Sequence, residues 1–390
     1  MNTLATSQNR FGFKLLQTLH AAQPGKNLFI SPYSIASALS MTMSGTTGAT
    51  RAAMSQTLGT AAFAPDALDK AYWDERTVWE KKTPGELVAR AAILRVANSL
   101  WADRRFTINS EYRTRVARYY GGQATVLDMH SPQAASSINS WVSEHTQNKI
   151  KQIVTPSTLQ NSLLVLVNAV YFRGRWVSEF APNVTKPGKF TCANGIPKQV
   201  ALMRQESEHI GYRREKTFTV VYLPYESYPG PQTAMYVLLP DNPNGLPALL
   251  RQLDAAKWER LRGGFATNTI VDLTLPRFRL DYAASLKKPL EQMGMKPAFA
   301  VSGDFAPMGL SPGFVGDVLH KTFLAVDEKG TEAAAATAAI AAGGAAAPFT
   351  PPQRVTVRVD RPFFCAIVEE DTGAILFAGA IYDPGSNTGL

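Results

Sequence analysis

The sequence predicts an α+β protein whose sheets are largely antiparallel. Helical patterns are concentrated in the first part of the chain, whereas β patterns are concentrated in the second part. Strands and helices therefore do not alternate as a parallel βαβ fold requires. A chain of 390 residues with 45% hydrophobic residues is long and apolar enough to form a sizeable core. No internal repeat or flexible linker divides it, so we expect a single domain over residues 1–390.

Two helices are predicted near the N-terminus. Apolar residues recur every fourth residue from Phe11 to Leu19, which gives the helix predicted over residues 7–22 a single apolar stripe. A second helix is expected to begin at Ser31-Pro32, because the hydroxyl caps free N–H groups and the proline follows where no N–H is needed. We expect Gly45 to end this helix. Its faces are almost all small or apolar, so it is predicted to be buried.

A long buried strand and several later strands follow. The apolar, β-branched run from Ser162 to Phe172 is typical of a strand covered on both faces. It contains Asn168, which must find internal hydrogen-bond partners, since burying it unpaired costs ~1–3 kcal/mol. A turn at residues 371–373 is predicted to join the last two strands as a hairpin. The later strands are predicted at residues 233–240, 268–281, 320–327, 354–370 and 374–383.

The sequence lacks the motifs of an active site or a cofactor site. There is no G-x-S-x-G, H-E-x-x-H, C-x-x-C, P-loop or G-x-G-x-x-G motif. The two cysteines, Cys192 and Cys365, are too few and too far apart for a disulfide framework or a four-ligand metal site. We therefore predict no catalytic residue, no metal and no cofactor. This pattern favours a protein-interaction function over an enzyme.

Charge and hydropathy exclude other classes of function. The net charge is +9, but the basic residues are scattered and no aromatic-basic reading motif accompanies them, so no nucleic-acid partner is expected. No stretch approaches the ~20 apolar residues of a membrane span. The first residues lack the apolar run of a secretory signal. We expect a secreted or periplasmic protein whose leader is absent from this chain, with a cytoplasmic location as the alternative.

An alanine-rich tract lies between Val326 and Pro348. Eleven of the fifteen residues from Ala333 to Ala347 are alanine. An exposed helix is one interpretation, but the tract has no amphipathic face, contains paired glycines, and would be marginal as an undocked helix. A flexible linker is another, but residues 355–381 are strongly β-patterned and must belong to the core. The tract is therefore predicted to be an exposed loop tethered at both ends.

Four segments of the chain together resemble the serpin family, in order and at family spacing. They are "NLFISPYSIASALSMTMSGTTGAT", "NAVYFRGRW", "HKTFLAVDEKGTEAAAATAA" and "DRPFFCAIVEEDTGAILFAGAI", and the resemblance spans about residues 8–384. It implies three β-sheets, about eight or nine helices, and a reactive-centre loop at about residues 328–352. It also implies that a protease attacks one loop bond, and that the loop then inserts as a new strand of the main sheet and traps the acyl-enzyme.

The alanine-rich composition suits such an insertion. A new strand must alternate between a core face and a solvent face, and small inward side chains let it enter without displacing large neighbours. About 16 inserted residues at ~3.3 Å each would move the attached end by roughly 50 Å. The residues predicted to point inward are Thr331, Ala333, Ala335, Thr337 and Ala339, whereas Glu332, Ala334, Ala336 and Ala338 point outward.

The resemblance also assigns roles to individual residues. It places a buried polar cluster, called the shutter, beneath the strands that part for the loop, with a polar core without a gating role as the alternative. It places Trp176 at the breach, where insertion begins, with ordinary core packing as the alternative. The shutter residues are Ser31, Ser34, Asn168 and His320. The hinge residues are Glu328, Gly330, Thr331, Glu332, Ala333, Ala334, Ala335 and Ala336.

The family's loop length predicts the bond that is cut. With Glu328 as the seventeenth residue before the cut, the bond is Gly344-Ala345, and cleavage after Ala342 or Ala345 is the alternative. Small residues suit elastase-like or subtilisin-like serine proteases, and no basic residue between Glu332 and Arg354 suits a trypsin-like one. The prediction is a monomeric, single-use protease inhibitor. A non-inhibitory carrier or chaperone of the same family is the alternative, but such members commonly place charged, bulky or proline residues at inward hinge positions.

Overall fold

The structure is a computed structural model that describes residues 3–80, 92–159, 162–228, 230–331 and 351–385. Within these ranges it contains eight α-helices of seven residues or more and two of four residues. The prediction was eight or nine helices, and the described residues form ten when the two short ones are counted. The helices are α1 Leu4–Ala22, α2 Pro32–Met43, α3 Gly48–Leu58, α4 Pro65–Glu80, α5 Ser110–Tyr120, α6 Ala134–His145, α7 Pro156–Leu159, α8 Leu246–Gln252, α9 Ala255–Leu261 and α10 Lys287–Leu290.

The strands of the described residues form three sheets, as predicted. The main sheet has the order β11 (Phe278–Ser285), β12 (Asp317–Asp327), β13 (Gly330–Thr331), β4 (Leu164–Arg175), β2 (Ile93–Asp103) and β3 (Gln123–Leu127). The second sheet has the order β1 (Leu28–Ile30), β16 (Ile375–Ile381), β15 (Phe363–Glu369), β9 (Thr233–Pro240), β8 (Phe218–Pro224) and β7 (Gly211–Arg214). The third has the order β14 (Gln353–Arg358), β10 (Thr269–Pro276), β6 (Pro197–Ser207) and β5 (Lys186–Thr191).

Most neighbouring strands are antiparallel, and the parallel pairs in the described residues are β2–β3, β4–β12 and β10–β14. The predicted hairpin joins β15 to β16. Gly373 in its turn has a φ of +75°, which glycine adopts without strain. The α+β class with largely antiparallel sheets is therefore confirmed.

Two predicted strands are each divided between different sheets. The segment predicted as one strand over residues 268–281 forms β10 in the third sheet and β11 in the main sheet, with the break at Pro276-Arg277. Residues 354–370 likewise form β14 and β15, with the break before Phe363. A proline lies at or next to each break, and because it has no N–H it cannot continue a hydrogen-bonded ladder. The alternation of apolar residues shifts by one position at the first break, where Leu273 and Leu275 are followed by Phe278 and Leu280. It stops at the second break, since every residue of β15 is buried.

Helix α2 lies between the main sheet and the second sheet. All twelve of its residues are buried, and it contacts β2 and β4 on one side and β16 on the other. The predicted start is correct, since the Ser31 hydroxyl accepts a hydrogen bond from the Ser34 amide. The helix ends at Met43, two residues before Gly45. A Cβ on Gly45 would lie 2.6 Å from the Tyr112 ring, so close packing also requires glycine there.

Helix α6 covers the opposite face of the main sheet. Its Trp141 ring packs edge-on against Trp101 of β2, and its indole Nε1–H donates to the side chain of Gln123 at the start of β3. The segment that follows α6 reaches β12, where Lys321 donates to the carbonyl of Gln152. One apolar cluster joins α6 and this segment to the face of β2, β4 and β12 that they cover.

Across the described residues, no helix has the length and apolar character needed to cross a membrane.

Candidate functional site in the main sheet

The boundary between β4 and β12, here called the seam, changes along its length. Over most of it the two strands are parallel partners, with Asp317–Phe323 paired to Val165–Tyr171. At its upper end the chain reverses after β12 and returns as β13, which pairs with both strands. The first two residues of β13, Gly330 and Thr331, therefore already lie between β4 and β12.

The turn that starts β13 depends on Asp327 and Gly330. The Asp327 carboxylate accepts hydrogen bonds from the backbone amides of Lys329 (2.9 Å) and Gly330 (3.3 Å). Gly330 has a φ of +152°, and a Cβ there would lie 2.1 Å from the carbonyl oxygen of Gly174. Only glycine fits between the turn and the end of β4.

Thr331 occupies an inward position of the main sheet. Its side chain is fully buried, and its hydroxyl lies 2.7 Å from the hydroxyl of Tyr225 beneath the sheet. Tyr225 also stacks on Trp176, with ring centroids 4.5 Å apart. A small hydroxyl side chain fits here, whereas a longer or charged one would have to displace the two aromatic rings.

Glu328 fastens the hinge to neighbouring elements. Its side chain is almost completely buried and accepts hydrogen bonds from the Arg277 guanidinium and the Thr185 hydroxyl. Burial alone would raise the pKa of this carboxyl, but the hydrogen bonds from Arg277 and Thr185 outweigh it and lower the pKa. The backbone carbonyl of Glu328 also accepts from the Phe180 amide at 2.8 Å. Glu328 therefore remains charged at neutral pH and anchors the loop on the side of the third sheet.

Trp176 closes the upper end of the seam. Its backbone amide donates to the carbonyl of Lys329 and its indole Nε1–H donates to the carbonyl of Asp327, each at 3.0 Å. The side chain is buried. Trp176 is thus part of the core and is also bonded to the turn from which the loop starts. This position agrees with the breach assignment, whose functional role stays a prediction.

A polar chain crosses three strands of the main sheet at one level. Asn98 of β2, Asn168 of β4 and His320 of β12 are direct neighbours in strand register. The Asn168 Nδ2 group donates to Asn98 Oδ1 and to the hydroxyl of Ser34, and its Oδ1 lies 2.5 Å from Nδ1 of His320. All three residues of this chain are buried. The internal partners predicted for Asn168 are therefore present, and the chain links the two strands of the seam.

The start of α2 completes the cluster. The Ser31 amide donates to Nε2 of His320 at 3.2 Å, and the Ser31 hydroxyl donates to the carbonyl of Leu376 at 2.6 Å. The structure thus brings together Ser31, Ser34, Asn168 and His320, the four predicted shutter residues. Sequence reasoning missed Asn98 and its partner Ser37, which are joined by a 3.3 Å hydrogen bond. A polar residue inside the apolar strand segment around Asn98 is the same signal that identified Asn168.

The hydrogen bonds of His320 require a neutral imidazole. An amide N–H from Ser31 meets Nε2, so this nitrogen must be an acceptor, and Nδ1 then carries the proton toward Asn168 Oδ1. Protonation of Nε2 would place two N–H groups against each other. Burial likewise disfavours the charged form and lowers the pKa of His320 to about 3. The side chain is therefore neutral throughout the physiological pH range.

This neutral histidine predicts a loss of stability in acid. The folded-state pKa of about 3 lies below the ordinary value of 6.5, so the unfolded chain binds the additional proton between these two values. The contribution of His320 to the free energy of unfolding is complete above pH 6.5. It is lost as the pH falls toward 3, at up to ~1.4 kcal/mol per pH unit. Urea unfolding of wild type and His320→Gln at several pH values gives the free energy of unfolding of each protein as a function of pH. The difference between the two slopes against pH measures the contribution of His320. Equal slopes against pH would contradict the buried neutral imidazole.

Part of the predicted site lies outside the described residues. This applies to Glu332, Ala333, Ala334, Ala335 and Ala336 of the hinge, and to Gly344 and Ala345 of the proposed reactive bond. Glu328, Gly330 and Thr331 are described and lie together at the upper end of the seam. The structure therefore describes the first residues of the predicted hinge.

The fold and this site define a class of α+β proteins in which two residues before the alanine-rich tract pair with both strands of a seam in a large sheet. The sequence model of the family described as Serpin (serine protease inhibitor) matches residues 6–384. The chain belongs to the serpin family. Members of this family are mostly protease inhibitors rather than enzymes, so the family supports protease inhibition as the general activity.

Individual relatives agree with this assignment over almost their whole length. Iris of Ixodes ricinus is 35% identical over 360 residues, which cover 91% of this chain and 92% of that protein. The leukocyte elastase inhibitor of Sus scrofa is 31% identical over 394 residues, covering 98% and 100% of the two chains. The crystal structure of Serpin48, a highly specific serpin of the insect Tenebrio molitor, has a TM-score of 0.82 and 26% identity, covering 97% of this chain and 98% of that chain.

Proposed function

We propose that this protein inhibits serine proteases as a single-use bait that traps the acyl-enzyme by inserting its reactive-centre loop into the main sheet. The observation that carries the proposal is β13, because the hinge already lies between β4 and β12 with Thr331 pointing inward. Insertion then extends an existing strand and does not have to start a new one. The seven residue pairs that join β4 and β12 below β13 would have to separate for the loop to pass.

The sequence of the loop supports an inhibitor that completes insertion. Every inward position from Thr331 to Ala339 carries alanine or threonine, so no charged or bulky group would need to enter the buried side of the seam. This feature argues against the alternative of a non-inhibitory carrier or chaperone. The protein needs no cofactor in this mechanism, contributes no catalytic residue and acts as a monomer.

The target is proposed to be an elastase-like or subtilisin-like serine protease. The proposed bond, Gly344-Ala345, offers small side chains on both sides, and the absence of a basic residue between Glu332 and Arg354 disfavours trypsin-like enzymes. One relative is named as a leukocyte elastase inhibitor, which supports the same class of target. A secreted or periplasmic location would bring the loop into contact with such proteases.

The test is a covalent-trapping experiment with pancreatic elastase and, separately, with subtilisin. We expect a band of the summed mass that survives denaturing gel electrophoresis, because an acyl-enzyme ester is covalent. Mass spectrometry of the released C-terminal fragment should show that it begins at Ala345. A fragment that begins at Gly343 or Ala346 would move the reactive bond to the alternative cuts after Ala342 or Ala345.

Cleavage by both proteases without a stable complex would contradict trapping of these targets. The melting temperature of the cleaved protein then separates the two explanations. A large rise after cleavage means that the loop still inserts, so the inhibitory mechanism stands and the target class is wrong. No rise means that the loop is cut as an ordinary substrate, which is the result expected of a carrier or chaperone.

A further inference from the structure

Three potential metal ligands meet at the lower end of the main sheet. Asp103 is the last residue of β2, and Asp128 follows directly after β3. Because β2 and β3 are parallel and Asp103 pairs with Leu127, the two carboxylates leave the sheet at the same edge. His130 lies two residues further along. One ligand atom from each of Asp103, Asp128 and His130 lies within 4.8 Å of the others.

The Asp103 side chain provides a separate reason to expect a ligand. The residue is only 1% exposed, and its Oδ2 atom has no hydrogen-bond partner. This buried oxygen faces Nδ1 of His130 at 3.7 Å. Two ligands of one tetrahedral Zn²⁺, bound at ~2.0–2.2 Å, are separated by roughly 3.4 Å. A small rotation of the exposed His130 ring would bring the two atoms to that separation.

The charges near the cluster define what kind of ion fits. Arg105 pairs with Oδ1 of Asp103, and Arg104 pairs with Oδ2 of Asp128 at 3.0 Å. The His130 amide donates to Oδ1 of Asp128 at 3.1 Å, so Oδ2 of Asp103 is the one oxygen of the two carboxylates without a hydrogen-bond partner among the described residues. Both arginine side chains are more than half exposed and are free to turn away. Imidazole and carboxylate together suit Zn²⁺, whereas Mg²⁺ and Ca²⁺ prefer oxygen ligands alone.

We propose that Asp103, Asp128 and His130 bind Zn²⁺, with water completing the coordination, and that the ion restrains α6. Residues 128–130 lie in the segment that leads from β3 into α6. Helix α6 contacts β2 and the segment after it contacts β12, so together they bridge the seam on this face. An added strand widens the sheet by ~4.8 Å, so this cover must shift while the loop passes. Zn²⁺ holds the start of this segment to the end of β2. This second part of the inference rests on the proposed function.

Binding is tested by titrating the intact, metal-free protein with ZnCl₂ in a calorimeter. We expect one site, and at least a tenfold weaker dissociation constant for His130→Ala and for Asp103→Asn. His130 is 61% exposed, so its replacement should leave the metal-free melting temperature unchanged. His209→Ala removes another exposed histidine and should bind Zn²⁺ as the wild type does. Equal affinity in wild type and His130→Ala would overturn the site.

The restraint is tested by measuring how many inhibitor molecules are consumed per trapped protease, with and without Zn²⁺. Slower insertion lets more inhibitor be cut before trapping, so we expect Zn²⁺ to raise this ratio at least twofold in the wild type and not in His130→Ala. The variant also controls for any action of Zn²⁺ on the protease. An unchanged ratio in a Zn²⁺-bound wild type would overturn the restraint. A protein that traps no protease would contradict the proposed function, while the calorimetric comparison would still decide the site.

Discussion

Thr331→Arg is expected to convert the inhibitor into a substrate. The native side chain is fully buried and bonded to Tyr225 beneath the main sheet, so an arginine there would place an unpaired charge against two stacked aromatic rings. The hinge should then leave the seam, and insertion should fail at its first residue. We expect more than tenfold more inhibitor to be cleaved per trapped protease, measured as cleaved and complexed bands on a denaturing gel.

The matched control is Glu332→Arg, one residue further along the hinge. Strand alternation from Thr331 predicts that residue 332 faces solvent, so the same new charge should be tolerated and trapping should persist. Both variants should keep the far-ultraviolet circular dichroism of the wild type, because β13 contributes only two residues to the sheet. Trapping by Thr331→Arg at the wild-type level would refute the requirement for inward entry at this position.

The fold was largely predictable from local patterns, and the two wrong strand predictions share one cause. The start of α2 followed from the side chains of Ser31 and Pro32, and its burial followed from small residues on every face. The runs at 268–281 and 354–370 were wrong as single strands because a β pattern does not report which neighbouring strand accepts the backbone hydrogen bonds. Pro276 and Pro362, together with the change of apolar alternation next to each of them, were the available signals for the two breaks.

The candidate site also contains residues that the sequence predicts and residues that it does not. Asn168 was predictable because a single amide in an apolar strand requires buried partners, and the resemblance then supplied His320 and the serines. Asn98 carried the same signal and was missed, and its pairing with Asn168 depends on the register of β2 against β4. The pairing of Gly330 and Thr331 with both strands was also not predictable, because it depends on tertiary contacts with Trp176 and Tyr225. Local pattern identifies which residues need partners, whereas the sheet register determines which partners they obtain.

Asn168→Ala is expected to lower the free energy of unfolding by about 3–5 kcal/mol. The change removes the partner of Asn98 Oδ1, of the Ser34 hydroxyl and of His320 Nδ1, and each buried group left unpaired costs ~1–3 kcal/mol. It also removes the side-chain link between β4 and β12. We therefore expect faster loss of inhibitory activity at 37 °C, as the loosened seam admits the uncleaved loop. Urea unfolding and timed activity assays measure the two effects.

Two comparisons separate this link from a general loss of packing. Asn183→Ala, at an exposed asparagine, should change the free energy of unfolding by no more than about 0.5 kcal/mol. A double-mutant cycle between Asn168→Ala and His320→Gln then isolates the contact across the seam. Neighbours in one hydrogen-bonded network are coupled by ~0.5–3 kcal/mol, whereas independent sites are additive within ~0.5 kcal/mol. Additive effects would mean that the polar cluster stabilises α2 and the core without holding β4 to β12, which is the interpretation of the four residues as a polar core with no gating role.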